Sequence, residues 1–187
     1  MTPYEYFIVL IVVLIGLALS DLTISLHKLL AAGPRVKWHW AAPATALLAA
    51  VLVVGEFMTT WFARAPTITF SHVLPSVGLM VLLYLGAAAT LPDEVGPEGV
   101  DLKLFYFDNR RHFWGVMTAF MAVQTLFVAI SPQNQAHADL WITVVQDAAV
   151  TLACASLIVV RRAWWHGLCL AAFLGVELVN WWTLTLS

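Results

Sequence analysis

The sequence predicts an all-α membrane protein that crosses the bilayer six times. Three observations carry that expectation. Apolar residues make up 61% of the chain and charged residues only 11%, against roughly 25% charged in soluble domains. The apolar residues fall in long runs, separated by short stretches rich in Gly, Pro and charge. The basic residues gather on alternate connections, as the positive-inside rule requires of a polytopic protein. Nothing between the runs is long enough for a second domain, so residues 1–187 read as a single transmembrane helical domain. The net charge of −2 gives no footing for a nucleic-acid partner.

The first run extends from Tyr4 to about Leu30. It follows MTPYEY, which has no positive side chain, so it reads as a retained helix and not as a cleaved leader. Asp21, Ser25 and Lys28 share one face near its far end. Gly33-Pro34 ends it, and Arg35 and Lys37 follow. The second run is Trp38 to Phe62, with Pro43 in the first turn, where proline is tolerated. Ala42, Ala46 and Ala50 give it a small-residue face for close helix approach, and Glu56 and Thr60 a polar one.

The third run is His72 to Leu91. After it comes PDEVGPEGVDLKLFYFDNRRHFW. Its acidic part reads as a loop. The part from about 101 to 114 alternates aromatics with charges and reads as an amphipathic segment lying at the cytoplasmic interface. The fourth run is Arg111 to Ile130, with Thr118, Gln124 and Thr125 inside. The fifth is Leu140 to Val160. Arg161 to His166 form a basic turn, and the sixth run is Gly167 to Leu186. Each run has about 20 residues or more, enough for ~30 Å of hydrocarbon at ~1.5 Å per residue.

With the N-terminus outside, Lys28, Arg35, Lys37, Lys103, Arg110, Arg111, Arg161 and Arg162 all fall on the cytoplasmic side, and Arg64 alone falls outside. The expectation is therefore an integral membrane protein, of the inner-membrane type found in bacteria, with both termini on the outer side. Six spans with a cytoplasmic loop after the third also permit a weak 3+3 repeat of opposite topology.

Beyond Glu5 at the outer edge of the first run, four acids sit within the runs: Asp21, Glu56, Asp147 and Glu177. In the fifth run Asp139, Thr143, Asp147 and Thr151 are spaced by four, and Cys154 follows, which makes one polar stripe down an apolar helix. A carboxyl group at membrane depth costs several kcal/mol unless it is partnered, hydrated or protonated. Glu56, Asp147 and Glu177 fall at middle to outer depth beside Gln124 and Asn180, with no Lys or Arg in that layer. Such acids suit a path for protons or cations, with Asp147 central and Thr143 and Thr151 as neutral ligands. A cation bound by Glu56, Asp147 and Glu177 is the form a cofactor would take, since hard cations accept carboxylate and amide oxygens. The bland alternative is that each acid is a neutral hydrogen-bonding group that ties helices together. The chain would then be an accessory or assembly subunit of a larger membrane complex.

Enzyme motifs are absent: there is no HExxH, GxSxG or P-loop. Catalytic residues are not assigned. Arg110, Arg111 and His112 read chiefly as a positive-inside anchor, though they could hold a lipid phosphate. That second role leaves a lipid-active membrane enzyme as a further alternative. His27, His39, His112 and His166 map to cytoplasmic ends of runs, and His72 and His137 to outer ends. None is placed to bind haem inside the membrane, and no run holds a lysine at mid-membrane depth for a retinal Schiff base. Cys154 and Cys169 lie in apolar runs and read as small apolar residues. The expected partners are the lipid bilayer and either further copies of the chain or a larger membrane complex, because so small a chain rarely encloses a pathway alone.

Overall fold

The structure is a computed structural model that describes residues 3–63, 70–130 and 140–182. It is all-α. Among the described residues there are six helices: α1 (Pro3–Ala32), α2 (Ala41–Ala63), α3 (Phe70–Ala88), α4 (Leu102–Ile130), α5 (Leu140–Val159) and α6 (Ala163–Trp182). Two short strands, β1 (Val36–Lys37) and β2 (Val100–Asp101), complete it. By length and composition, four stretches can cross a membrane: Tyr4–Arg35, Ala41–Trp61, Leu102–Ile130 and Leu140–Val159. The apolar stretches of α3 and α6, Val73–Ala88 and Ala163–Val179, are shorter.

The helices are apolar on both sides. In α1 the buried positions Ile11, Ala18, Leu22, Ser25, Leu29 and Ala32 recur at helical spacing, while Val9, Val12, Val13, Leu17 and Ile24 on the other faces are exposed. An apolar exterior of this kind suits a helix surrounded by lipid and not by water. The helix ends where Gly33 takes φ of +55° and Pro34 follows, a conformation that glycine adopts without strain.

The second helix is the hub. It packs against α1, α3, α4 and α6. Small residues let its neighbours in: Ala41, Ala42, Thr45 and Ala49 are fully buried. Thr45 keeps its hydroxyl satisfied by donating to the carbonyls of Ala41 (3.0 Å) and Ala42 (2.8 Å). The His39 ring Nδ1 caps the start of α2 by accepting from Ala41 N–H at 3.3 Å. Between α3 and α4 the approach is close at Gly86, where a Cβ would fall 2.1 Å from the Met117 methyl.

The fourth helix starts earlier than the sequence suggests, at Leu102 and not near Arg111. The stretch read as a separate interfacial segment is its first turns. Asp101 caps it, its Oδ1 accepting from Lys103 N–H (3.0 Å) and Leu104 N–H (3.2 Å). No Gly or Pro interrupts the chain between Leu102 and Trp114. Leu102, Tyr106, Arg110, Phe113, Trp114 and Met117 form its buried face. Asp108 and Lys103 are exposed, as an amphipathic stretch demands.

Helices α5 and α6 are consecutive but part company. The fifth packs mainly on α4, whereas α6 packs mainly on α2. At one end of the bundle β1 pairs parallel to β2, with Val36 opposite Val100 and Lys37 opposite Asp101. Gly99 makes this pairing possible. Its φ is +84°, and a Cβ there would lie 2.2 Å from the Arg35 carbonyl oxygen. Lys28 Nζ donates to the Asp93 carbonyl at 2.8 Å at the same end. The opposite end is tied by Tyr4, whose hydroxyl donates to the Thr60 carbonyl at 2.6 Å. Lys28, Arg35, Lys37, Lys103, Arg110, Arg111, Arg161 and Arg162 thus sit on the elements that meet at one end of the bundle.

Candidate functional site

Two of the acids lie on apolar helices that pack on each other. Glu56 lies on α2 and Glu177 on α6, helices that pack on each other, and the Glu177 carboxyl acts electrostatically on Glu56. Both side chains are half-buried. Asp147 is also half-buried, but it lies on α5, which faces α4 and has little contact with α6. The three acids therefore do not form one centre. Among the described residues, no three His, Cys, Asp or Glu side chains are placed to hold a metal ion.

The neutral polar residues divide similarly. Thr151 donates its hydroxyl to the Asp147 carbonyl at 2.8 Å, so its proton is committed to its own helix. Thr143 is exposed. Gln124, on α4, has a buried side-chain oxygen with no hydrogen-bond partner among the described residues. Asp21 is half-buried on α1, toward the basic end. The side chain of Asn180, together with Asp139, His137 and the His72 side chain, lies outside the described residues.

The basic end holds a polar network that the sequence did not announce. His166, at the start of α6, is fully buried. Its Nε2 lies 2.8 Å from the Val160 carbonyl, and its Nδ1 lies 2.6 Å from the Tyr106 hydroxyl. A carbonyl only accepts, so Nε2 carries the proton and Nδ1 accepts from Tyr106. The Tyr106 oxygen in turn accepts from Trp114 Nε1–H at 3.1 Å. The three side chains form one chain of donors: Trp114 to Tyr106 to His166 to backbone. Phe107 and Tyr106 also stand edge-on to the imidazole, at 5.5 and 5.4 Å between ring centroids. The network locks the start of α4 to the turn between α5 and α6. One signal was available in the sequence: Tyr106, Arg110, Phe113, Trp114 and Met117 recur at helical spacing.

Arg110 sits beside this network and is 3% exposed. It donates through Nη1 to the Phe107 carbonyl, while its Nε has no partner among the described residues. Arg161 and Arg111 bring like charge to it, and Asp108 opposes them. His112 faces elsewhere. It lines an open cavity of about 680 Å³ with Asp93, Phe105, Asp108 and Asn109, between the end of α3 and the start of α4. The run Arg110-Arg111-His112 is therefore split between two faces of α4. Both cysteines are buried and free.

Comparison of the chain with known protein families, with curated proteins and with solved structures found no match.

Proposed function

We propose that this chain is a six-span integral membrane protein that passes protons or cations, with the Glu56–Glu177 pair as its binding step. One observation carries the reading. Two acids, far apart in sequence, lie on α2 and α6, helices that pack on each other, and among the described residues the charge that acts on Glu56 is Glu177. Two carboxyl groups so placed need a proton or a cation between them. A group that must hold a cation, and can release it, is what a path across a membrane requires.

The lengths of α3 and α6, 19 and 20 residues, support six spans, since ~1.5 Å per residue brings each close to the ~30 Å hydrocarbon thickness. The gathering of basic residues at one end supports an orientation with that end in the cytoplasm and both termini outside. Asp147 supports an oligomer. It lies half-buried on α5, the least buried of the four long apolar helices. A second copy, or a partner subunit, packed on that stripe would remove the carboxyl from lipid.

The test is flux in liposomes. Wild-type protein should carry protons or a monovalent cation, and Glu56→Gln and Glu177→Gln should each abolish that transport while still folding. Failure of the wild type to carry any tested cation would reject the proposal and leave the accessory-subunit reading. A second reading, an enzyme acting on lipid, has the open cavity lined by Asp108, Asn109 and His112 behind it. Activity on a lipid headgroup lost in His112→Ala would favour it.

A further inference from the structure

We propose that Arg110, Arg111 and Arg161 form a binding site for a phosphate group, carried by an anionic lipid headgroup or by free phosphate. The site is independent of the transport reading and lies at the basic end of the bundle. Three observations converge on it.

The first is an unpaired buried cation. Arg110 is only 3% exposed, yet its Nε has no acceptor among the described residues, while its Nη1 donates to the backbone of its own helix. Leaving a charged donor buried without an acceptor is costly, more so than for a neutral one. An acceptor is missing from that face.

The second is like charge brought together by the fold. Arg161 comes from the turn between α5 and α6, near enough to Arg110 for the two charges to act on each other, as the charge of Arg111 on α4 also does. The Tyr106–His166 hydrogen bond at 2.6 Å holds that turn against α4, so the clustering is imposed and not incidental. Asp108, the carboxylate that acts on Arg110, does not neutralise three guanidinium groups. It is exposed, and it lines the cavity on the other side with His112. The missing acceptor is thus an anion from outside the chain. Guanidinium forks match the oxygens of a phosphate in geometry as well as charge. Arg111 and Arg161 are exposed, so their side chains can rearrange around an incoming anion.

The third is depth. Trp38, Trp40 and Trp164 are exposed at this same end, at 48%, 45% and 63%. Exposed tryptophans mark the level of lipid headgroups. That level is where the phosphates of a bilayer lie, which favours a lipid as the source.

The experiment uses the full chain in a phosphate-free maltoside detergent and chloride buffer, with thermal unfolding as the readout. Phosphatidylglycerol, inorganic phosphate and a diacylglycerol of the same acyl chains are titrated separately. Phosphatidylglycerol should raise Tm with a saturating dependence, and the diacylglycerol should not. Loss of one charge-assisted contact in Arg161→Gln should weaken the apparent affinity about tenfold. Arg161 is exposed in a turn, so this variant folds even if Arg110→Lys, the companion substitution, does not. Stabilisation by inorganic phosphate alone would assign the site to free anions, and a requirement for the acyl chains would assign it to lipid. Either result supports the site. No shift with either phosphate source, an equal shift with diacylglycerol, or unchanged affinity in Arg161→Gln would overturn it.

Discussion

Removing one oxygen atom should loosen the basic end of the bundle. In Tyr106→Phe the ring keeps its size and its contacts with Phe107 and His166, so no large cavity forms. What changes is the hydrogen bonding of two buried neighbours. Trp114 Nε1–H loses its acceptor at 3.1 Å, and His166 Nδ1 loses its donor at 2.6 Å. Trp114 and His166 are both 0% exposed, so water does not replace the hydroxyl. A buried polar group left without its partner costs about 1–3 kcal/mol, which makes about 2–6 kcal/mol for the two. Polar contacts measured between membrane helices average lower, near ~0.6 kcal/mol each, so about 2 kcal/mol is the figure to test. Trp114→Phe is the informative contrast. It also removes the hydrogen bond, but leaves only one lone pair of the Tyr106 oxygen unused, while the Tyr106 O–H still donates to His166. Its cost comes from lost ring volume. Equilibrium unfolding of both variants in mixed micelles measures the two costs. Nitrogen chemical shifts of His166 report the proton on Nε2 in wild type. A Tyr106→Phe cost below about 0.5 kcal/mol, small against the orphaned-group penalty, would refute the donor chain, as would a wild-type His166 protonated on Nδ1.

Two further predictions test other parts of the fold. Gly99→Ala should destabilise the chain by about 2 kcal/mol or more, since the left-handed conformation alone costs a Cβ-bearing residue about 1–2 kcal/mol. The clash with Arg35 should also separate β1 from β2, and detergent thermostability equal to wild type would contradict this. For orientation, single cysteines at Glu5 and at Glu98 should label from opposite sides of sealed vesicles. Labelling of both from one side would mean that the number of spans between them is even.

Much of the fold was legible because the length and apolar composition of a helix are local properties of the sequence. Each of the six helices covers one of the six apolar runs, and Gly33-Pro34 marks the end of α1 in sequence and structure alike. The start of α4 was not legible in the same way. Its aromatics and charges look like an interfacial stretch, and the burial of Tyr106, Arg110 and Trp114 within the bundle makes that stretch a packed helix. The cap at Asp101 was visible but ambiguous, because an aspartate before an amphipathic run also occurs in loops. The parallel pair of β1 and β2 left no local trace. Two residues are too few for a strand pattern, and their partners are far apart in the chain.

The candidate sites divide along the same line. That Glu56, Asp147 and Glu177 lie in apolar helices is a local property of the sequence. Which of them meet is not, since it depends on α6 leaving α5 to pack on α2. His166 shows the reverse error. Its place beside Arg161 and Arg162 suggested an interfacial side chain, yet the turn folds under and buries it against Tyr106. Position along a helix is therefore a property of the sequence, whereas only packing gave the direction a side chain faces.

The central claim is that cations pass by way of the Glu56–Glu177 pair, and one liposome series tests it most directly. Wild type, Glu56→Gln, Glu177→Gln and Asp147→Asn are reconstituted at equal density, and the dissipation of an imposed proton or cation gradient is followed. The account predicts flux in wild type, flux at the level of empty liposomes in both glutamine variants, and reduced but measurable flux in Asp147→Asn, whose carboxyl lies on another helix pair. Wild-type flux that persists undiminished in Glu56→Gln and Glu177→Gln would contradict it.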